Sequence, residues 1–178
     1  LQTRERDYRE KLRTTRFKLD ELASLQRELL NGDYPLLPRL IQTGLGKRHQ
    51  KYLWWRRMAD PDFLSLRIGT GYDNPSFSVV PPKVIDAEDP LFTLSQETLQ
   101  AYKEIPQFPV LLDLKTVGSV GLSDRNGNLI YGFARKLILD VIVHHSPQDA
   151  QVVVLGDTPE AQERWEWLKW TPHTRAIY

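Results

Sequence analysis

One segment of the sequence combines a long helical period with an adjoining apolar run. Residues 128–145, NLIYGFARKLILDVIVHH, carry apolar side chains at 129, 133, 137 and 141 and again at 130, 134, 138 and 142. This spacing predicts a helix with a broad buried face. The run QVVVL (151–155) is short, apolar and bounded by polar residues, as a buried strand would be. The order strand, loop, helix, strand predicts a βαβ unit with parallel strands, so the second half is expected to be α/β.

Composition excludes several kinds of site. The chain has 178 residues and no cysteine, which rules out disulfides and thiolate chemistry. Its four histidines lie in no ligand-spaced pattern, so no metal site is predicted. Because 24 Lys and Arg face 23 Asp and Glu, there is no general attraction to nucleic acid. No run approaches the roughly 20 apolar residues of a membrane span, so we expect a soluble chain, and its first residue, Leu1, suggests a fragment.

The first 30 residues are predicted to form one helix. Seven positions follow alternating steps of three and four, the spacing of a narrow coiled-coil seam, and mixed charges surround them. The helix either packs on its own domain or forms a stalk that pairs with a helix elsewhere. Asn31 and Gly32 are expected to end it, since Pro35 and Pro38 cannot continue it. The seam consists of Tyr8, Leu12, Thr15, Leu19, Leu22, Gln26 and Leu29.

The interval from Tyr34 to Ala59 contains no acidic residue. Basic residues interleaved with aromatics can contact phosphates and stack on bases, or face anionic lipid. The alternative is a solvated face whose tryptophans belong to a core. The predicted membrane-proximal or partner contacts are Arg39, Lys47, Arg48, Lys51, Arg56 and Arg57.

Further elements are predicted from shorter patterns. DPDFLSLRIGTG (60–71) alternates like a strand, with Leu64, Leu66 and Ile68 on one face, and FSVVPP (77–82) is expected to pair with it. TLSQETLQAYKEI (93–105) is predicted to be a helix capped by Thr93 or Ser95. FPVLLDLKTVGSVGL (108–122) is expected to supply two strands.

Four separated motifs resemble one family in the same order. LWWRRMADPDFLSLRIGTG, VGSVGL, HHSPQDAQVVVL and WEWLKWTPH are similar to the membrane ATPases of type VII secretion, the EccC and EssC group of the FtsK/SpoIIIE motors. The resemblance covers nearly the whole chain. It implies a helical, membrane-proximal stalk over residues 1–60 and a degenerate, P-loop-ATPase-like α/β domain over 61–178, with a parallel or mixed sheet and flanking helices.

The resemblance also frames the segment GLSDRNGNLIYGFARKL (121–137). FtsK-type modules carry a GxxxxGK[ST] loop, a helix, HSPE or a similar sequence, and a strand ending in Asp. Counting from His145, the loop lysine falls on Ile130, the hydroxyl residue on Tyr131 and the strand-ending aspartate on Gly156. Lysine would contact the phosphates and the hydroxyl would bind magnesium, so both functions are lost. The degenerate loop comprises Asp124, Arg125, Asn126, Gly127, Asn128, Leu129, Ile130 and Tyr131, and the degenerate strand end comprises Leu155, Gly156 and Asp157.

Two local alternatives stay open. Asn126-Gly127 is a tight-turn signal, and SVGLSDRNGNLIYGF could form a hairpin, but the helical period favours a helix with Asn128 as its cap. Trp165, Trp167 and Trp170 either wedge the last helix against the sheet or form a docking surface.

The sequence therefore predicts a non-enzymatic segment of a secretion motor. Its role would be to couple transmembrane helices to downstream ATPase domains, on the cytoplasmic side of the membrane. Expected partners are those domains, other membrane components of the secretion complex, copies of itself in a ring and an anionic membrane surface. No cofactor is expected, with weak ATP and magnesium binding as one alternative and a nucleic-acid-binding module over 39–57 as another.

Overall fold

The computed structural model describes residues 2–46, 50–80, 89–125 and 128–174. It is a mixed α/β structure, as predicted, and its two strands form a small antiparallel sheet. The chain divides into two compact units: residues 1–34 with 69–110, and residues 35–68 with 111–178. The strands are β1 (Ser65–Asp73) and β2 (Ile105–Asp113), and each passes from one unit into the other along the chain.

The first unit is built on the long helix α1 (Gln2–Asp33), which confirms the predicted N-terminal helix. Its buried side chains are Leu19 and Ala23, and Ala23 packs with Ile105 and Phe108. The predicted seam is only partly correct, because Leu22 and Leu29 are 45% and 60% exposed. A straight helix of 3.6 residues per turn turns Ala23 inward once Leu19 is buried, so the inward stripe drifts away from the seam.

Helix α3 (Pro90–Ala101) completes the first unit. It begins earlier than predicted, because Asp89 accepts a hydrogen bond from the Leu91 N–H and Pro90 favours the first helical position. The Arg16 guanidinium donates to the Thr98 hydroxyl at 2.9 Å, which joins α1 to α3. The middle of α1 therefore packs on its own unit, and the stalk role of the helix stays a prediction.

Among the residues that the structure describes, the second unit contains four α-helices. These are α2 (Leu37–Gly44), the short α4 (Leu114–Val117), α5 (Asn128–His144) and α6 (Pro159–Trp165), with short 3₁₀ helices at Gln50–Tyr52, Glu166–Trp170 and Pro172–Thr174. Helices α2 and α5 approach closely at Gly44, where a Cβ would lie 3.1 Å from Val143 Cγ2. Helix α5 confirms the prediction from the apolar period.

Several predicted strands are wrong. Residues 151–156 form neither strand nor helix, and Leu155 is 92% exposed. VGSVGL (117–122) ends the short helix α4 and continues without a strand, and residues 77–80 are not a strand, while 81 and 82 lie outside the described residues. Strand β1 pairs instead with β2. The predicted parallel sheet is therefore absent from the described residues, and a P-loop-like fold stays a prediction.

Candidate functional site

The N-terminus of α5 is closed by a carboxylate from the same chain. Asp124 Oδ2 accepts a hydrogen bond from the Leu129 N–H at 3.1 Å. Helix N-termini attract anions because their first N–H groups are unpaired and the helix dipole is positive there. The Asp124 carboxylate thus takes the position that an external phosphate would need. Arg125 is exposed, while Asn126, Gly127 and the Asn128 side chain, on which the predicted cap depends, lie outside the described residues.

The two residues aligned with the loop lysine and its hydroxyl neighbour lie on the first turn of α5. Ile130 is half-buried and apolar, while Leu129 beside it is 77% exposed. The Tyr131 ring lies 4.1 Å from the Arg164 guanidinium carbon and 6.5 Å from the Trp165 ring, as measured to ring centroids. These contacts hold the tyrosine against α6, so its hydroxyl is not arranged around a metal site.

Gly156 lies where the resemblance places an aspartate, and packing restricts it. A Cβ at this position would lie 2.9 Å from the Ala161 Cβ, which is closer than side-chain carbons approach. An aspartate at 156 would therefore displace the start of α6. Asp157, one residue later, is exposed on the loop that precedes α6. The loss of the strand-ending aspartate from a nucleotide site stays a prediction.

An open groove of about 540 Å³ lies between this loop and α6. Its lining includes Val152, Val154, Trp165 and Leu168. Trp165 and Trp167 are half-buried, as a structural wedge requires, whereas Trp170 is 81% exposed. Their wedge and docking roles both stay predictions.

Arg56 departs from the predicted basic surface. Its side chain is 1% exposed, its Nε lies 2.9 Å from Asp62 Oδ2 and its guanidinium donates to the Ser65 carbonyl at 2.9 Å. The arginine is buried because the backbone of residues 54–56 runs beside the end of α5, where the Arg56 N–H donates to the His144 carbonyl. A cation in this position neutralises Asp62 and does not face a membrane or partner.

The other basic residues of this interval differ in their surroundings where the structure describes them. Arg57 is exposed and pairs with Asp149 at 3.0 Å, Lys51 is exposed, and Arg39 is half-buried. Lys47 and Arg48 lie outside the described residues. The Trp54 indole donates to the Ile142 carbonyl at 3.0 Å, which ties it to α5.

Asp140 is the centre of a buried polar network on α5. It is 2% exposed and accepts hydrogen bonds from the Arg67 N–H at 3.2 Å, Lys136 Nζ at 3.0 Å and His144 Nδ1 at 2.7 Å. Lys136 also donates to the Arg67 carbonyl. Burial acts to raise the pKa of Asp140, but the hydrogen bonds and charges of His144 and Lys136 outweigh it and lower the pKa below its ordinary value.

Two further histidines are buried beside this network. The Leu64 N–H donates to His145 Nε2 at 3.0 Å, so the His145 proton is on Nδ1 and donates to the Val141 carbonyl. His173 Nε2 donates to the His145 carbonyl at 2.8 Å. Burial lowers the pKa of both rings, which favours their neutral forms.

Among the residues that the structure describes, no three His, Asp or Glu side chains group in a way that could hold a metal ion. Nor does any helix within those ranges have the length and apolarity needed to cross a bilayer.

Comparison with known proteins gives consistent relatives over the whole chain. ESX secretion system protein EccC of Thermomonospora curvata is 32% identical over 178 residues, which is 98% of this chain and 13% of that protein. The chain matches a segment of EccC/EssC-type secretion proteins. ESX secretion system protein YukB of Bacillus subtilis is 28% identical over 95% of the chain, and type VII secretion system protein EssC of Staphylococcus aureus is 23% identical over 97%. No family model matches.

This EccC/EssC-type segment spans 11 to 13% of the length of the curated relatives it matches. The network around Asp140 was not predicted, although Lys136, Asp140 and His144 follow steps of four on the predicted helix. Charged residues at that spacing on an otherwise apolar face signal a buried group of partners.

Proposed function

We propose that the chain is a non-catalytic, ATPase-like segment of a type VII secretion protein, and that it couples membrane-side parts of that protein to ATPase domains. The names of its relatives support a role in type VII secretion. The observation that carries the non-catalytic part is the Asp124 carboxylate on the first turn of α5. A negative group there repels the phosphates that a working loop would bind.

Two further contacts support the same proposal. Tyr131 packs against Arg164 where a magnesium-binding hydroxyl is needed, and Gly156 adjoins Ala161 where an aspartate is needed. Phosphoryl transfer depends on positioned cations and a bound metal. The start of α5, Tyr131 and Gly156 all make other contacts, so in this proposal the segment keeps the helix and the loop but lacks the groups that bind ATP and magnesium.

Calorimetric titration with ATP and magnesium tests the nucleotide part. We expect no saturable heat up to millimolar ATP and no phosphate release. A dissociation constant below about 100 µM, which corresponds to a binding free energy of about −5.5 kcal/mol, would refute the proposal and favour an active or regulatory nucleotide site.

The coupling part rests on α1, a helix of 32 residues whose first turns are exposed. Its expected partners are ATPase domains of the same chain, other membrane components of the secretion complex, copies of itself and an anionic membrane surface. Residues 4–7, RERD, carry two positive and two negative charges, so removing them leaves the net charge unchanged. The deletion shortens the helix by about one turn, roughly 6 Å.

Secretion by the full-length protein is the measurement. We expect the deletion of 4–7 to reduce secretion, while replacement of the same four residues by alanine, which keeps the length, leaves it near the unmodified level. Equal secretion by both variants and the unmodified protein would contradict a coupling role for α1.

A further inference from the structure

Residues 151–156, QVVVLG, form an apolar backbone segment with few bonds of its own. The chain runs here without helix, turn or bend. The Val152 N–H donates to the His173 carbonyl at 3.1 Å. Among the described residues, the backbone groups of Val153, Val154, Leu155 and Gly156 have no hydrogen-bond partner. Such a row of free N–H and C=O groups is a template for pairing with another strand.

The apolar side chains of this segment are largely exposed to solvent. Val153 is 79% exposed and Leu155 is 92% exposed, while Val154 lines the groove beside α6 and is 37% exposed. β-branched and apolar residues of this type favour strands. Free backbone groups and exposed apolar side chains on the same residues are two independent signs of an uncovered strand.

We infer that QVVVLG is a strand of a sheet that is completed by a further β-strand of the same polypeptide, from outside these 178 residues. This inference rests on the proposed function, since it names how the segment joins the remainder of its parent protein. The relatives are about eight times as long as the matched segment, as their 11 to 13% coverage requires. A tethered strand reaches a high effective concentration beside its target, unlike a free peptide.

The residue pattern favours a strand of the same fold over a transient peptide. Val152, Val153, Val154 and Leu155 form a continuous apolar run without polar alternation. Such runs are typical of strands covered on both faces inside a sheet, whereas strands with one solvated face alternate apolar and polar residues. Within this run Val152 alone is half-buried, so the missing neighbour must bring cover for the other apolar side chains.

Hydrogen exchange measured by mass spectrometry tests this inference without any secretion or nucleotide assay. In the 178-residue chain, the amides of 153–156 should exchange near the rate of an unprotected peptide at every protein concentration. In the full-length parent chain, we expect them to slow by at least about 100-fold, as for amides in a stable sheet.

Every other pattern overturns the inference. Rapid exchange in both chains would mean that no strand pairs here. Protection of the short chain that rises with concentration would assign the site to a second copy, and protection independent of concentration would mean that the segment is already satisfied. Protection of the full-length chain that requires an added secretion substrate would assign the site to that substrate.

Two substitutions and a matched control locate the pairing. Val153→Pro and Leu155→Pro each remove a backbone N–H, and alternate residues of a strand direct these groups to the same edge. Val153→Thr keeps both the N–H and the β preference. We expect the proline variants to lose the protection of the full-length chain and the threonine variant to keep it. Because the readout is local exchange, loss of the α1 coupling effect on secretion would leave this result unchanged, and the reverse also holds.

Discussion

The buried carboxylate of Asp140 offers a quantitative test of the second unit. Asp140→Asn keeps the size of the side chain but removes the charge that faces Lys136 and His144, whose side chains are 16% and 2% exposed. Breaking a buried pair by removing one partner costs about 3 to 5 kcal/mol, because the remaining charge stays buried without compensation. The asparagine oxygen can still accept one hydrogen bond, so we expect a loss near 3 kcal/mol.

All five tryptophans lie in the second unit, which makes the measurement selective. Urea unfolding followed by tryptophan fluorescence should show the loss, and the melting temperature should fall by roughly 6 to 12 °C for a chain of this size. Asp157→Asn, at an exposed loop position, is the matched control and should change stability by less than about 0.5 kcal/mol. A loss under about 1 kcal/mol for Asp140→Asn would refute the argument that this carboxylate holds buried charges together.

The dependence of the free energy of unfolding on acidic pH provides a second check on the role of Asp140. Because the folded pKa of Asp140 is lowered, its contribution is complete above the unfolded value of about 3.9 and is lost as the pH falls through the folded pKa. The unmodified chain and Asp140→Asn should therefore converge in stability at strongly acidic pH. A constant difference down to about pH 2 would mean that the charge is not the cause.

Three other outcomes are expected. Burial lowers the pKa of His145 and His173, so the unfolded chain takes up protons at a higher pH than the folded chain. The contribution of these rings to stability is complete above about pH 6.5, and below it the free energy of unfolding should fall by up to about 2.7 kcal/mol per pH unit. A free energy of unfolding, followed by fluorescence, that stays constant from pH 7 to 5 would contradict this. Gly156→Ala should lower the free energy of unfolding by about 1 to 3 kcal/mol through overpacking, measured in the same urea assay. Gly121→Ala, whose added Cβ would meet nothing within 4 Å, should leave it nearly unchanged, and equal effects of the two changes would refute the steric argument. Tyr102→Phe removes a hydrogen bond to the Asp20 carboxylate and should lower the free energy of unfolding by about 1 kcal/mol. Urea unfolding followed by far-ultraviolet circular dichroism measures this, and an unchanged unfolding midpoint would contradict it.

The long helices could be predicted from the sequence because their signals are local. The apolar period of 128–145 and the charge-rich start of the chain each specify a helix over many turns, and α5 and α1 confirm both. The boundary of α3 was missed because Asp89 and Pro90 set the start by a cap, which outweighs the weaker signal of Thr93. Boundaries depend on single hydrogen bonds, whereas the existence of a helix depends on the whole period.

The strands and the buried network could not be predicted in the same way. Arg67 lies in a segment predicted to alternate like a strand, opposite the apolar positions, yet it is 2% exposed, and its N–H donates to Asp140, 73 residues along the chain. Pairing at that separation leaves no pattern in a local window. The run QVVVL has the composition of a strand but pairs with no strand among the described residues, and a strand needs a neighbour that its own sequence does not specify.

The capping bond from Asp124 to the Leu129 N–H has a consequence for competition. The carboxylate is tethered a few residues from the helix it caps, so its local concentration is on the order of millimolar or higher. A dissolved phosphate must displace a competitor that cannot diffuse away. Restoring an anion site would therefore begin with removal of this side chain, and a lysine at position 130 alone would be met by a carboxylate already in place.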